Sequence, residues 1–548
     1  MPSLQLGPLL RHAGEDQATV WVQTDVACEV EVLGHTARTF CVAGHHYALV
    51  HVSGLESGTA TAYEVALDGE RHWPVEGSPF PPSFIRTPAE DTPATIAFGS
   101  CRVAAPNGPP YTLTKDDDDR GREVDALRAL ALRMMQQPVE QWPTRLLMLG
   151  DQVYADEVSP GVLEFIRERR GTDRPPGEEV ADFEEYTRLY WESWGEPVLR
   201  WLLSTIASAM IFDDHDVHDD WNISEAWLHD ARSLPWWTER IAGAFMSYWV
   251  YQHIGNLPAD ELHGDDDLFG RVHEVDDAAA LLHEFGLHAD RETEGTRWSY
   301  CRDYGGVRVV VVDSRAGRVL RDGRRSMLDD EEWEWLESCL VGGHDHLVIG
   351  TSLPLFAGHG MHYLEAWNEA ICAGAWGPPG RWAGEKIRRA LDLEHWAAFQ
   401  DSFERLTRRL GEVAIGRHGP PPASIVVLSG DVHHAYLAEV AFRRGDGDRS
   451  RVYQAVCSPF RNPLDSHEKT MMRFAMSRTG RALARALART AGVRDPEVRW
   501  RISHGPVFDN QVATLVLHER RARLTIERTL PEEWRAPELH ESWAVDLT

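Results

Sequence analysis

The sequence predicts an α/β protein preceded by a small all-β module, and three observations carry that reading. First, four short apolar runs each stop abruptly at a motif rich in Gly or acid: Ala94-Thr-Ile-Ala97, Arg145-Leu-Leu-Met-Leu149, Ala207-Ser-Ala-Met-Ile211 and Ser424-Ile-Val-Val-Leu428. Runs this short and this apolar suit buried strands of a sheet. Second, strand-like runs alternate with helix-like segments from Thr95 onward. Third, residues 1 to about 85 alternate apolar and polar side chains between turn-like stretches, as in Ala18-Thr-Val-Trp-Val-Gln23 and Cys28-Glu-Val-Glu-Val32.

Within the first module, Leu55-Glu-Ser-Gly-Thr-Ala-Thr-Ala-Tyr-Glu-Val65 is similar to the late strands of fibronectin-type sandwiches. No acid, His and Cys cluster appears there, so it reads as a scaffold or substrate-shaping module. Prolines are dense from Pro74 to Pro93, as in a linker. The expected division is therefore 1–88 for the β-sandwich and 89–548 for the catalytic domain.

Further along, 123–136 and 182–205 carry helical patterns, and Val307-Arg-Val-Val-Val-Val312 and His346-Leu-Val-Ile349 read as strands. The stretches 225–300 and 357–383 carry no obvious chemistry and are expected to cover a site. An Arg-rich helix-like segment near 470–492 precedes two last strands, Gln511-Val-Ala-Thr-Leu-Val-Leu517 and Ala522-Arg-Leu-Thr-Ile526. The acidic run Asp116 to Asp119 reads as a solvated loop.

Composition sets limits. At 548 residues, with 43% apolar and 26% charged residues, the chain is long enough for a large core. A net charge of −30 argues against a general nucleic-acid binder, because phosphate backbones are held by Lys and Arg. It leaves phosphate esters open as substrates, since metal ions invert the local field. No apolar run is long enough to span a membrane, and no signal peptide or twin-arginine motif opens the chain, which predicts a cytoplasmic protein. The seven cysteines are scattered without CxxC spacing, which argues against a disulfide framework or a four-cysteine zinc site.

The chemistry lies in the motifs after the apolar runs. Strands of such sheets deliver their carboxyl ends to one edge, where ligands bind. Asp151, in Gly150-Asp-Gln-Val-Tyr-Ala-Asp156, is placed either to bridge two cations or to cap the next helix. Tyr154, three residues on, is a ligand for a strongly Lewis-acidic ion such as ferric iron, or a packing residue; free phenols ionise only near pH ~10. Asp431 and His433, two apart in Ser429-Gly-Asp-Val-His433, point the same way if the strand persists and make a pair of metal ligands. His434 would then face the opposite side. Phe212-Asp-Asp-His-Asp-Val-His-Asp-Asp-Trp221 is dense in acids and histidines, but spacing does not say which point inward. Cys101, in Phe98-Gly-Ser-Cys101, is a buried small residue, a nucleophile or a ligand.

These motifs, with Asp313-Ser-Arg315, occur in the order of the alkaline phosphatase D (PhoD-like) metallophosphatase family, which the chain resembles over nearly its whole length. Ser458-Pro-Phe-Arg-Asn-Pro463 and Gly505-Pro-Val-Phe-Asp-Asn510 are similar to that family's carboxy-terminal stretches. The resemblance implies a metallophosphatase fold, a β-sandwich flanked by helices, and hydrolysis of small phosphate mono- and diesters. It also implies a ferric ion held by Cys101, Asp151, Tyr154 and His433. Calcium would share Asp151 and take Asp431. Where the family has Asn-Asn-Trp, this chain has Asp219-Asp220-Trp221, so the second metal's further ligand falls among Asp219, Asp220 and Asn222, and another divalent ion is open. His215, Arg102 and Arg315 are the candidates for steadying the phosphate or protonating the leaving oxygen. The alternatives are a phospholipase-like phosphodiesterase and a catalytically degenerate metal-binding protein.

Overall fold

The computed structural model describes residues 1–89, 92–262, 268–321, 323–442 and 450–548. All four apolar runs form strands: Ala94–Gly99, Arg145–Leu149, Ala207–Ile211 and Ser424–Ser429. They divide between two sheets. The first runs Ala207–Ile211, Arg145–Leu149, Ala94–Gly99, Gln511–His518, Arg521–Arg528, His540–Asp546 in spatial order. Its first three strands are parallel, with Phe98 opposite Leu147 and Leu147 opposite Ala209. The second sheet centres on four parallel strands, Val307–Val312, His346–Thr351, Ser424–Ser429 and Arg451–Val456.

Strand side chains alternate between faces, and both faces of the second sheet are buried. Val309, Val311, Val348, Val426 and Leu428 share a core with Leu147 and Leu149 of the first sheet. Their neighbours Val310, Val312, Leu347, Ile349, Ile425 and Val427 pack instead with Trp333, Phe403, Leu406 and Leu410. Those last residues come from the helices Asp330–Cys339 and Gln400–Ala414. The result is a β-sandwich flanked by helices. Because the central strands are parallel, Gly99, Leu149, Ile211, Val312 and Ser429 end at one edge.

Residues 182–205 form two helices rather than one, Phe183–Gly195 and Pro197–Thr205. Pro197 forces Glu196 out of helical backbone (φ −58, ψ 128), and the Glu196 carboxylate then accepts the Leu199 N–H at 3.0 Å.

The amino-terminal module holds two four-stranded antiparallel sheets around Val20, Val22, Val30, Val32, Val50 and Val65. It is bolted to the rest of the chain. The buried Arg11 guanidinium donates to the carbonyls of Ser208, Tyr251 and Gln252 and to Asn256 Oδ1, at 2.7–3.0 Å. The Trp21 indole donates to the Val250 carbonyl at 3.0 Å. Hydrogen bonds from a charged donor contribute ~1.5–3 kcal/mol each, so this contact is a strong one. The proline-dense stretch expected to be a linker contains a strand, Phe84–Arg86, paired with Ala60–Ala62. The prolines stop at Pro82 and resume at Pro88, and the residues between are free to donate; the Phe84 N–H also reaches Thr205 Oγ1 at 3.0 Å.

Candidate metal centre

The loops that leave the strand ends are held in backbone conformations that L-residues adopt reluctantly. Cys101 (φ +56), Asp151 (φ +52), Asp431 (φ +65) and His433 (φ +50) are all left-handed. Such strain persists where the surroundings over-determine it, and it clusters at functional sites. The loops also touch. A Cβ on Gly150 would lie 2.6 Å from Asp213 Cβ, and one on Gly430 would lie 2.1 Å from Ser100 Oγ. Only glycine permits these approaches.

Among the described residues three groups of ligand atoms result, each within 4.8 Å: Cys101, Asp151 and His433; Asp151, Asp214 and His215; and Asp213, Asp214 and Asp431. Asp151 belongs to two of them. Tyr154 is buried with its hydroxyl 3.4 Å from Asp151 Oδ2, and Asn462 Nδ2 donates to that hydroxyl at 3.2 Å. Asp431 and His433 do meet the others, but not by strand continuation. The strand ends at Ser429, and the left-handed backbone at Asp431 and His433 turns both side chains to the site. His434 lies apart, its Nδ1 on the Val432 carbonyl and its ring against Tyr436 and Phe508.

The acidic run divides by role. Asp216 accepts the N–H groups of Asp151, Gln152, Val153 and Asp213 at 2.9–3.3 Å, tying two loops together. Asp156 holds His215 Nδ1 at 3.0 Å and the Asp219 N–H at 2.6 Å. The Asp219 side chain is 62% exposed. Asp220 and Asn222, both left-handed, each leave a buried Oδ1 without a hydrogen-bond partner. Asp313 organises its own turn, accepting from the N–H of Arg315, Ala316 and Gly317.

Arg315 is fully buried and bound to Asp213 and Glu394, with Asp214 at 3.2 Å and Asp431 at 3.7 Å. Arg102 is buried beneath the site, paired with Asp125 at 2.7 Å and donating to the Ser193 carbonyl at 2.9 Å. One further connection lies outside the motifs. Asp431 Oδ2 meets His395 Nε2 at 3.1 Å, and His395 Nδ1 meets the buried Glu365 at 2.5 Å. Glu365 comes from the stretch expected to be mere cover; only the compact Asp392-Leu-Glu-His395 marks it in the sequence.

The electrostatics are those of an uncompensated acidic site. Burial, with His215 opposing and Asp213 and Asp214 adding, holds the Asp151 carboxyl well above the usual carboxylate range. Burial with Glu394 and Asp392 alongside pushes Asp220 to about 9. Burial, Asp151 and Asp431 likewise raise the Cys101 thiol. Burial drives His433 down to about 3. Buried acceptor atoms without partners include Asp151 Oδ1, Asp213 Oδ2, Asp220 Oδ1, Asn222 Oδ1 and His433 Nδ1. A cation satisfies such atoms and reverses the upward shifts of the carboxyls and the thiol, while His433 already stands in the neutral form that ligates. The donor types also differ: thiol, imidazole and phenol gather at Asp151 on one side, Asp214 and His215 stand on its other side, and Asp213, Asp214 and Asp431 make an all-oxygen group beyond. The residues fit a pair of metal ions.

Comparison with known proteins follows the same line. Residues 1–85 match a family model described as a domain of unknown function, DUF7800. Residues 128–501 match the model of the PhoD-like phosphatases. A solved structure titled "Structure of PhoD" superposes with a TM-score of 0.60 at 13% identity, covering 99% of this chain and 90% of that one. A purple acid phosphatase, PPD1 from yellow lupin (Lupinus luteus) seeds, superposes with a TM-score of 0.48 at 10% identity, covering 98% of this chain and 73% of that one. No curated protein matches the sequence. With the family model covering well over half of its length, the chain belongs to the PhoD-like phosphatases.

Proposed function

We propose that this protein hydrolyses small phosphate esters at a two-metal centre, with a ferric ion held by Cys101, Asp151, Tyr154 and His433 and calcium sharing Asp151 with Asp431. The observation that carries the reading is the position of Asp151, common to two groups of ligand atoms, with one carboxylate oxygen buried and unpartnered. Among the candidates for the second ion's remaining ligand, Asp220 and Asn222 have such an oxygen and Asp219 does not. The metals supply Lewis acidity, which offsets phosphoryl charge and lowers the pKa of an attacking water.

The chain's own residues then have separable tasks. Asp156 fixes His215 through Nδ1, which leaves Nε2 to hold or deliver a proton at the leaving oxygen. Burial alone would lower the His215 pKa, but Asp156 and Asp214 hold it well above the ordinary value. Arg315 draws Asp213, Asp214 and Asp431 together, and Arg102 anchors the loop behind Cys101. The amino-terminal sandwich, residues 1–88, of fibronectin type on its strand pattern, acts as scaffold.

Because Arg315 is committed to carboxylates, it does not wrap a terminal phosphate, and this favours diesters over monoesters. The test is turnover of one chromogenic phosphodiester and its monoester after chelation and after restoring iron with calcium. Metal-restored turnover weighted toward the diester supports the reading. Inactivity on both esters with the metals bound replaces it with a degenerate metal-binding protein.

A further inference from the structure

Between Lys469 and Arg494 the chain carries seven Lys and Arg and no Asp or Glu, in a protein with a net charge of −30. It lies on two helices that meet at Ser477: Ser466–Met476, whose first turn holds Glu468 in a capping box with Asp465, and Arg478–Thr490. The second helix is seated from within, Ala484, Leu487 and Ala488 packing on Tyr363, Trp367 and Ile371 of the helix His359–Cys372. Outward, Met471 and Phe474 are each 54% exposed and Leu483 is 60% exposed. Arg478, Arg481 and Arg494 of the same stretch are exposed as well. Not every cation faces out: Arg485 binds Asp495, and Arg473 lies over the Phe508 ring at 4.8 Å.

A single exposed Leu means little. Large apolar side chains set among arginines on an amphipathic helix are different, because they match the two layers of a lipid interface. Phosphate backbones of nucleic acids would be served by the arginines, but give Phe474, Met471 and Leu483 nothing to bury in. We propose that these two helices dock the protein on an anionic lipid surface. The arginines meet the headgroup phosphates, and Met471, Phe474 and Leu483 enter the acyl boundary. Basic residues near an anionic leaflet strengthen binding within a Debye length of the surface, which is ~8 Å at physiological salt.

The docking face also lies next to the chemistry. On its inner side the first helix presents Met472 and Met476 to an apolar cavity, and the opposite wall holds His395, Val432 and His434. Those residues flank or touch Asp431 and His433. One helix therefore separates the proposed lipid surface from the metal centre. The docking itself does not depend on the hydrolytic reading.

The test is co-sedimentation of the full chain with vesicles of phosphatidylglycerol and phosphatidylcholine, and with phosphatidylcholine alone, at low and high salt. The expected result is binding to the anionic vesicles, weakened by salt, and at least about tenfold weaker on pure phosphatidylcholine. Arg478→Glu with Arg481→Glu, and separately Phe474→Ser with Leu483→Ser, should each lower vesicle affinity by at least about tenfold. Their Tm and their turnover of a soluble ester should match the parent. No binding to anionic vesicles, binding that both variants retain, or binding of duplex DNA in place of vesicles would each overturn the proposal.

Discussion

The carboxylate of Asp216 accepts the backbone N–H of Asp151 at 3.0 Å. The same carboxylate also accepts from Gln152, Val153 and Asp213, so one buried acid sets the backbone of two ligand-bearing loops. Asn at that position offers one acceptor oxygen in place of two. Asp216→Asn is therefore expected to lose about 2–4 kcal/mol of stability, since hydrogen bonds to a charged group contribute ~1.5–3 kcal/mol. Chemical denaturation measures this, and an unchanged midpoint would contradict the role.

Tyr154 gives the centre a spectroscopic handle. A phenolate bound to ferric iron absorbs visible light by charge transfer, and a phenol that merely packs does not. The iron-loaded protein should be coloured, and Tyr154→Phe should lose the colour while Asn462 and Asp151 stay in place. Colour that survives Tyr154→Phe assigns the phenol to packing.

The Glu365–His395–Asp431 chain is a positioning device. With His395 on Oδ2, the other oxygen of Asp431 is left toward Arg315, and Asp431 shares its group of ligand atoms with Asp213 and Asp214. Groups that orient a ligand typically contribute 10- to 100-fold in metal affinity. His395→Asn and Glu365→Gln should each weaken calcium binding by about that factor in titration calorimetry. Unaltered affinity in both would remove the role.

The buried pair Arg102–Asp125 makes a prediction in pH. Burial alone would raise the Asp125 carboxyl, but Arg102, followed by Arg461, brings it below the ordinary value. A depressed folded pKa means the pair contributes fully above the unfolded value of ~3.9 and loses its contribution as pH falls toward the folded one. Arg102→Met leaves a buried, unpaired carboxylate and should cost ~3–5 kcal/mol at neutral pH. The gap in Tm between Arg102→Met and the parent should narrow as pH falls, first while the unpaired Asp125 of the variant protonates above ~3.9 and then as the parent's pair is lost. A gap independent of pH would contradict the assignment.

Much of this was legible in the sequence because buried parallel strands announce themselves. Ala94–Ala97, Arg145–Leu149, Ala207–Ile211 and Ser424–Leu428 are strands, and their motifs meet at one edge. What spacing did not give were contacts made through side-chain reach across distant segments. Glu365 and Asp431 are far apart in sequence and are joined only by His395. The division of labour in 213–220 was hidden for another reason. Asp213, Asp214 and Asp216 are one residue type, and only backbone turns decide that Asp216 faces amides while Asp213 and Asp214 face the site. The break at Glu196–Pro197 was readable from Pro197, whereas the strand at Phe84–Arg86 was obscured by the surrounding prolines.

The most direct measurement is metal content and diester turnover in the parent and in Asp151→Asn, made on the same preparations. Iron and calcium are expected in the parent, and loss of both metal occupancy and turnover in the variant, by at least about 100-fold. An Asp151→Asn protein that keeps its metals and full activity would contradict the central claim, that Asp151 joins the two halves of the centre.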